Sequence, residues 1–255
     1  MSHIKLILQY DGTNYSGWQI QANAATIQGH LEAIIYRITG EQTRVTGAGR
    51  TDAGVHALEQ VAAFRTNSSL SPEVFMRALN ANLPPDVRVM NATECPANFH
   101  PRYDAKSKTY SYLISGMGAY SVFMQRYSWG VRCLLDTGAM TEAAGYLTGK
   151  HDFSSFRASG CSSTNPVREI SGIEISEMKT IEFIGFRLDV PAIKISITAT
   201  AFLRHMARNI IGTLVEAGRK KFPPSRMKEI LDARDRRLAG KTAPACGLFM
   251  EKIVY

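Results

Sequence analysis

Cysteine is scarce in this 255-residue chain, and its four copies (Cys95, Cys133, Cys161 and Cys246) are far apart. With no CxxC pair, neither a disulfide framework nor a zinc finger can be read from them. Reduced thiols fit a cytosolic protein. Long apolar runs are missing too. No segment approaches the roughly 18 residues of a membrane span, and the run inside "MSHIKLILQYDG" is too short for a secretory signal. The sequence therefore predicts a cytoplasmic protein with no membrane partner. The six histidines are scattered and form no HxxxH pair, so no metal site is expected, and no GxSxG elbow occurs. Acidic residues are in deficit: 22 Asp and Glu stand against 30 Lys and Arg, a formal charge of +8. That balance disfavours a small neutral ligand and favours a polyanionic partner.

The positive surplus is concentrated. From Arg204 to Lys241 there are eleven Lys or Arg against four Asp or Glu, a local balance of +7. Either a solvated helical surface or an anion-binding face would give such a run.

Hydrophobic periodicity predicts two similar halves. Residues 4–10 alternate as a strand, with Ile4, Leu6, Leu8 and Tyr10 on one face. Residues 26–40 read as a helix capped by Thr26, striped by Ile27, Leu31, Ile34, Ile35 and Ile38, and stopped at Gly40. A short strand before the glycine segment, a strand over 58–66, a helix over 71–85 opened by Ser71-Pro72 and a strand over 86–94 complete the first half. The second half has strands at 108–115, 167–176 and 193–201, a helix over 135–149 opened by Asp136, a helix over 203–218 ended by Gly218, and a last strand at 247–255. The predicted fold class is α+β: two ferredoxin-like lobes, residues 1–105 and 106–255, each an antiparallel sheet flanked by helices, with a basic cleft between them.

One stretch resists a routine reading: "GAGRTDAGVHA", residues 47–57. A dinucleotide fingerprint fails because Asp52 stands where the third glycine belongs. A P-loop fails because Val55-His56 replaces Lys-Ser/Thr. An aspartic-protease pair would need a second such loop, and none exists. His56 reads as a structural or surface residue. What remains is one carboxylate, Asp52, which an extended backbone would place on the same side as Arg50, with Thr51 facing away. A routine ion-paired turn and a functional carboxylate both satisfy this pattern.

The loop resembles the signature of the tRNA pseudouridine synthase A family. Four further segments resemble that family in the same order: "LQYDGTNYSGWQIQ" (8–21), "KTYSY" (108–112), "FLRHMARNIIGTL" (202–214) and "APACGLFM" (243–250), so the likeness spans essentially the whole chain. The resemblance implies a homodimeric enzyme of two α+β lobes that isomerises uridine to pseudouridine at positions 38, 39 and 40 of the tRNA anticodon stem-loop. It implies Asp52 as the catalytic aspartate, Arg50 as a neighbour assisting nucleotide flipping, Tyr110 as the ring that stacks on the target base, Arg208 as the partner of the aspartate, and Leu248 as an apolar contact to the base. Such an isomerisation exchanges no electrons and takes no group from outside, so no cofactor or metal is expected. It needs an anionic carboxylate, acting as a nucleophile on base or sugar or as a base on a sugar proton; the residues leave these routes open.

Overall fold

Ile4, Leu6, Leu8 and Tyr10 turn inward from strand β1 (Ser2–Tyr10) of the computed structural model, which describes residues 1–116, 121–161, 163–183 and 185–255. Helix α1 (Ile27–Thr39) follows. The Thr26 hydroxyl accepts from Gly29 N at its start, and Gly40 ends it in the left-handed conformation at φ 74°. Strand β2 (Thr46–Gly47), strand β3 (His56–Thr66), helix α2 (Pro72–Asn82) and strand β4 (Val87–Glu94) come next. Ser71 caps α2 through Val74 N.

The pairing order among these strands is β4-β1-β3-β2, antiparallel throughout. That is the split β-α-β arrangement of a ferredoxin-like lobe. Phe64 on β3 meets Phe75 on α2 edge to face at 5.3 Å, fastening the helix to the sheet.

Beyond these lie β5 (Ser107–Ser115), β6 (Trp129–Gly130), α3 (Thr137–Gly145), β7 (Gly149–Asp152), β8 (Val167–Met178), β9 (Ile181–Phe183), β10 (Phe186–Leu188), β11 (Ala192–Ala199), α4 (Met206–Gly218), α5 (Arg226–Ala233) and β12 (Leu248–Val254). Here the sheet runs β5-β11-β8-β7, antiparallel, with β6 beside β5 in parallel. Strands β9 and β10 form a separate hairpin. Asp136 caps α3 by accepting from Ala139 N.

By contact the chain divides into two units, Met1–Lys106 with Phe249–Tyr255, and Ser107–Leu248. The last strand thus returns to the first unit, where Phe249 and Met250 pair in parallel with His56 and Ala57 of β3.

Two local expectations are corrected. Helix α4 begins at Met206, not at 203, because His205 adopts a left-handed φ of 60°; Leu203 is buried all the same. Gly218 does not cap that helix in a left-handed turn. It is the last helical residue and lies against α3, where a Cβ would come within 2.7 Å of Met140 Sδ. Its small size serves helix packing rather than chain reversal.

Candidate active site

The aspartate loop is held by its backbone. Burial alternates across it: Arg50 is exposed, Thr51 is buried and Asp52 is half-buried. Beneath it the Thr51 hydroxyl is 2.8 Å from the Tyr10 hydroxyl, and the Gln60 amide spans the loop base, its Nε2 donating to Gly49 O at 2.8 Å. Burial pushes the Tyr10 phenol up to about 12, against the opposing pull of its hydrogen bonds to Thr51 and Gln60, so it stays protonated.

The segment 11–18 lies across the loop from the other side. Trp18 N donates to Thr51 O at 3.0 Å, and Gly54 N donates to Tyr15 O at 3.3 Å. Inside the loop, Val55 N closes a turn onto Asp52 O at 3.1 Å, which Gly54 permits with φ 75°. Gly12 approaches so closely that a Cβ there would lie 2.0 Å from Val55 O.

Below the turn sits His56, 1% exposed. Its ring stacks on Phe249 at 4.8 Å. Its Nδ1 is 3.1 Å from Gly12 N and 3.0 Å from Asp11 Oδ1. A bare Nδ1 accepts from Gly12, and a protonated one donates to Asp11, so in either state the ring ties the two segments together. His56 is therefore structural rather than a surface residue. Two layers of hydrogen bonds thus fix the backbone around one half-exposed carboxylate, while the residues that fix it are themselves buried.

The remaining sequence-predicted residues lie in the second unit. Tyr110 on β5 is 7% exposed and packs edge-on against Phe202 at 4.8 Å. It offers a nucleobase little free face in this conformation. Leu248, at 4%, is equally covered.

Arg208 on α4 is half-buried and oriented by its neighbour segment: its Nε donates to Ala243 O at 2.8 Å, and Ala243 N donates to Arg208 O at 3.1 Å. Nearby, the Tyr112 hydroxyl donates to Pro244 O at 2.8 Å. Burial pushes that phenol up, with the Cys246 sulfur adding to the rise and the Arg208 charge opposing it. Arg208 is thereby brought together with the 243–246 segment that leads into Leu248.

Sequence reading missed what holds that segment. Asn209, 1% exposed on α4, donates from Nδ2 to Phe156 O at 2.7 Å. Its Oδ1 accepts from the Thr242 hydroxyl at 2.7 Å and from Arg236 Nη2 at 3.1 Å. One turn on, the Thr213 hydroxyl accepts from Gly240 N at 2.9 Å. The available signal was two buried polar residues four apart on a helix whose apolar stripe lies elsewhere.

The basic stretch also differs from expectation, because much of its charge is matched locally. Glu216 receives both Arg219, at 3.2 Å, and Lys221. Lys220 pairs with Asp136 at 3.1 Å, Arg234 with Asp152 at 3.2 Å, Arg226 with Glu229 at 3.2 Å, and Lys228 with Asp232 at 2.6 Å. A sum over residues 204–241 overstates the field because Asp136 and Asp152 lie outside it.

These features define an α+β protein that presents one carboxylate on a pinned glycine loop. The sequence model of the family described as "tRNA pseudouridine synthase" matches residues 6–104 and 143–255. The tRNA pseudouridine synthase A of Pelobacter propionicus is 42% identical over 258 residues, and that of Moorella thermoacetica 43% over 257, each covering 100% of both chains. The one from Syntrophomonas wolfei is 43% identical over 255 residues, covering 100% of this chain and 98% of its own. The chain belongs to the tRNA pseudouridine synthase family, whose activity is an isomerisation.

Proposed function

We propose that this protein isomerises uridine to pseudouridine at positions 38, 39 and 40 of the tRNA anticodon stem-loop, with Asp52 as the catalytic carboxylate. The observation that carries this reading is the pinned, half-exposed Asp52 on a loop clamped by segment 11–18 and by Gln60. Preorganisation of this kind is what a group must have to act on one atom of a large substrate. A pure RNA binder gains nothing from it.

In this reading the target uridine leaves its stack, which costs a few kcal/mol. Tyr110 returns about 1–3 kcal/mol by stacking, after its surroundings open to bare the ring. Arg50 is the exposed cation beside Asp52 that steadies the extruded nucleotide. Arg208 supplies the charge that favours an ionised carboxylate when the base excludes water. Leu248 supplies an apolar contact to the same base. The carboxylate attacks base or sugar, or removes a sugar proton; the glycosidic bond from N1 breaks, the base rejoins through C5, and C5 gives up its proton while N1 takes one up. The enzyme acts as a homodimer in the cytoplasm, without metal or cofactor.

The test is incubation of wild type, Asp52→Asn and Asp52→Ala with unmodified tRNA, followed by chemical mapping of pseudouridine. Both variants should form none while binding tRNA within a few-fold of wild type. Equal loss of binding would make Asp52 a structural residue, and modification elsewhere in the tRNA would remove the anticodon assignment.

A further inference from the structure

A concave site lies within the first unit, at the end of its sheet remote from the aspartate loop. It is a cavity of about 340 Å³ lined by, among others, His3, Thr43, Arg44, Arg65, Phe99 and His100. Strand pairing assembles it. His3 on β1 stands directly opposite Arg65 on β3, and the Thr43 hydroxyl donates to Arg65 O at 2.7 Å. Arg65 is nine positions along β3 from His56, so the Arg65 end of the cavity lies roughly 30 Å along the strand from the turn that carries Asp52, with Thr46 and Ala63 lining its nearer end. One nucleotide cannot fill both places.

The chemistry of the cavity is one-sided. Two guanidinium groups and two imidazoles line it, and among the described residues no carboxylate does. The carboxylates nearest in the chain each hold hydrogen bonds of their own. Glu41 accepts from the Thr66 hydroxyl and Asn67 N, and Asp104 from His100 N. Glu32 accepts from Gln28 and Val45 N, and it touches Arg44 only at 3.7 Å.

His100 Nδ1 accepts from the backbone N–H groups of Arg102 and Tyr103, which puts the proton of the neutral ring on Nε2, a donor. Arg65 Nη2 donates to Ala97 O at 2.8 Å and so holds the 96–101 wall in place. Phe99, packed against the Tyr255 ring at 5.1 Å and lying under Lys5 Nζ at 5.8 Å, adds an aromatic wall with a third cation beside it. Guanidinium donors beside an aromatic ring, in a space of nucleotide size, form the pattern that takes an RNA backbone.

We propose that this cavity is a second RNA site, binding a phosphodiester of the tRNA beyond the anticodon stem-loop that carries the reacting nucleotide. The inference rests on the tRNA reading above, and it makes the first unit a two-point reader: a carboxylate at one end of the sheet and a phosphate clasp at the other.

The experiment measures equilibrium binding of full-length unmodified tRNA and of the isolated anticodon stem-loop over a range of salt, for wild type, Arg44→Glu and Arg44→Ala/Arg65→Ala. Arg44 has a largely exposed side chain, so its replacement leaves the fold intact even if Arg65→Ala loosens the 96–101 wall. For full-length tRNA each variant should bind about tenfold more weakly, and the slope of log K against log salt should fall by about 1 per charge removed. The stem-loop alone should lose less than about twofold, because a contact outside it is absent from both sides of that comparison. Unchanged affinity and slope with full-length tRNA would overturn the inference, and so would an equal loss on the stem-loop. Pseudouridine mapping on wild type separates the two readings: no product from wild type overturns the proposed activity, whereas normal product with unaltered binding of the variants overturns the second site alone.

Discussion

Gly12→Ala is the sharpest test of the idea that segment 11–18 sets the position of the aspartate loop. A Cβ at residue 12 would lie 2.0 Å from Val55 O and 2.7 Å from Val55 C, whereas ordinary contact begins at 3.4 Å, so the two backbones must separate by about 1.4 Å. Neither side can yield alone. Gly12 is held by its N–H on His56 Nδ1, and Asp11 N donates to Asp86 O at 2.9 Å. Val55 is tied to Asp52 O by the turn.

Relief therefore passes to Asp52, and under the catalytic role proposed for it a misplacement of about 1 Å costs roughly 10²-fold in rate. Single-turnover pseudouridine formation should fall by about that factor, with tRNA affinity little changed, since binding draws on many remote contacts. Gly172→Ala is the control, because a Cβ there meets nothing within 4 Å. A Gly12→Ala enzyme within about threefold of wild type, or one whose loss tracks its unfolded fraction, would refute the clamp.

Two further outcomes follow from the second unit. Asn209→Ala removes three hydrogen bonds and strands the buried carbonyl of Phe156, so urea denaturation should show a loss of about 3 kcal/mol; a loss below about 1 kcal/mol would mean that the network is dispensable. Asp136 is held below its ordinary value of 3.8, first by the hydrogen bond from Ala139 N and then by Lys220, so its contribution is present above the unfolded value and is lost as pH falls through the lower folded one. Asp136→Asn keeps the cap but not the titration, so its stability curve should be flatter than wild type below about pH 4, and superimposable acid limbs would remove Asp136 from the balance.

Short-range features were legible in the sequence because their causes are short-range. Thr26 and Gly40 bracket α1, Ser71 and Pro72 open α2, and the alternation of Ile4, Leu6, Leu8 and Tyr10 orients β1, each through neighbours a few residues away. Strands β6, β7, β9 and β10 are too short to carry a period, and the charges of α5 hid its apolar triplet, Met227, Ile230 and Leu231.

The site divides in the same way. Asp52 and its glycines stand out as a composition, but the clamp on them comes from residues 12, 15 and 18 and from Gln60. Arg236 and Thr242 reach Asn209 from 27 and 33 residues away, a proximity that no local pattern records. The charge of the basic stretch could be counted, but which cations it leaves unmatched depended on Asp136 and Asp152, brought up by folding.

Because Phe249 supplies the floor on which His56 rests, the aspartate loop cannot be finished when its own residues leave the ribosome. Nearly two hundred further residues must be synthesised first, about 10 to 40 seconds at about 5–20 residues per second. During that interval a nascent chain already carries Asp52 but lacks the strand that steadies its support. The ordering of the loop is in this way made conditional on synthesis as far as residue 249, and a fragment ending before it would display the signature without that support.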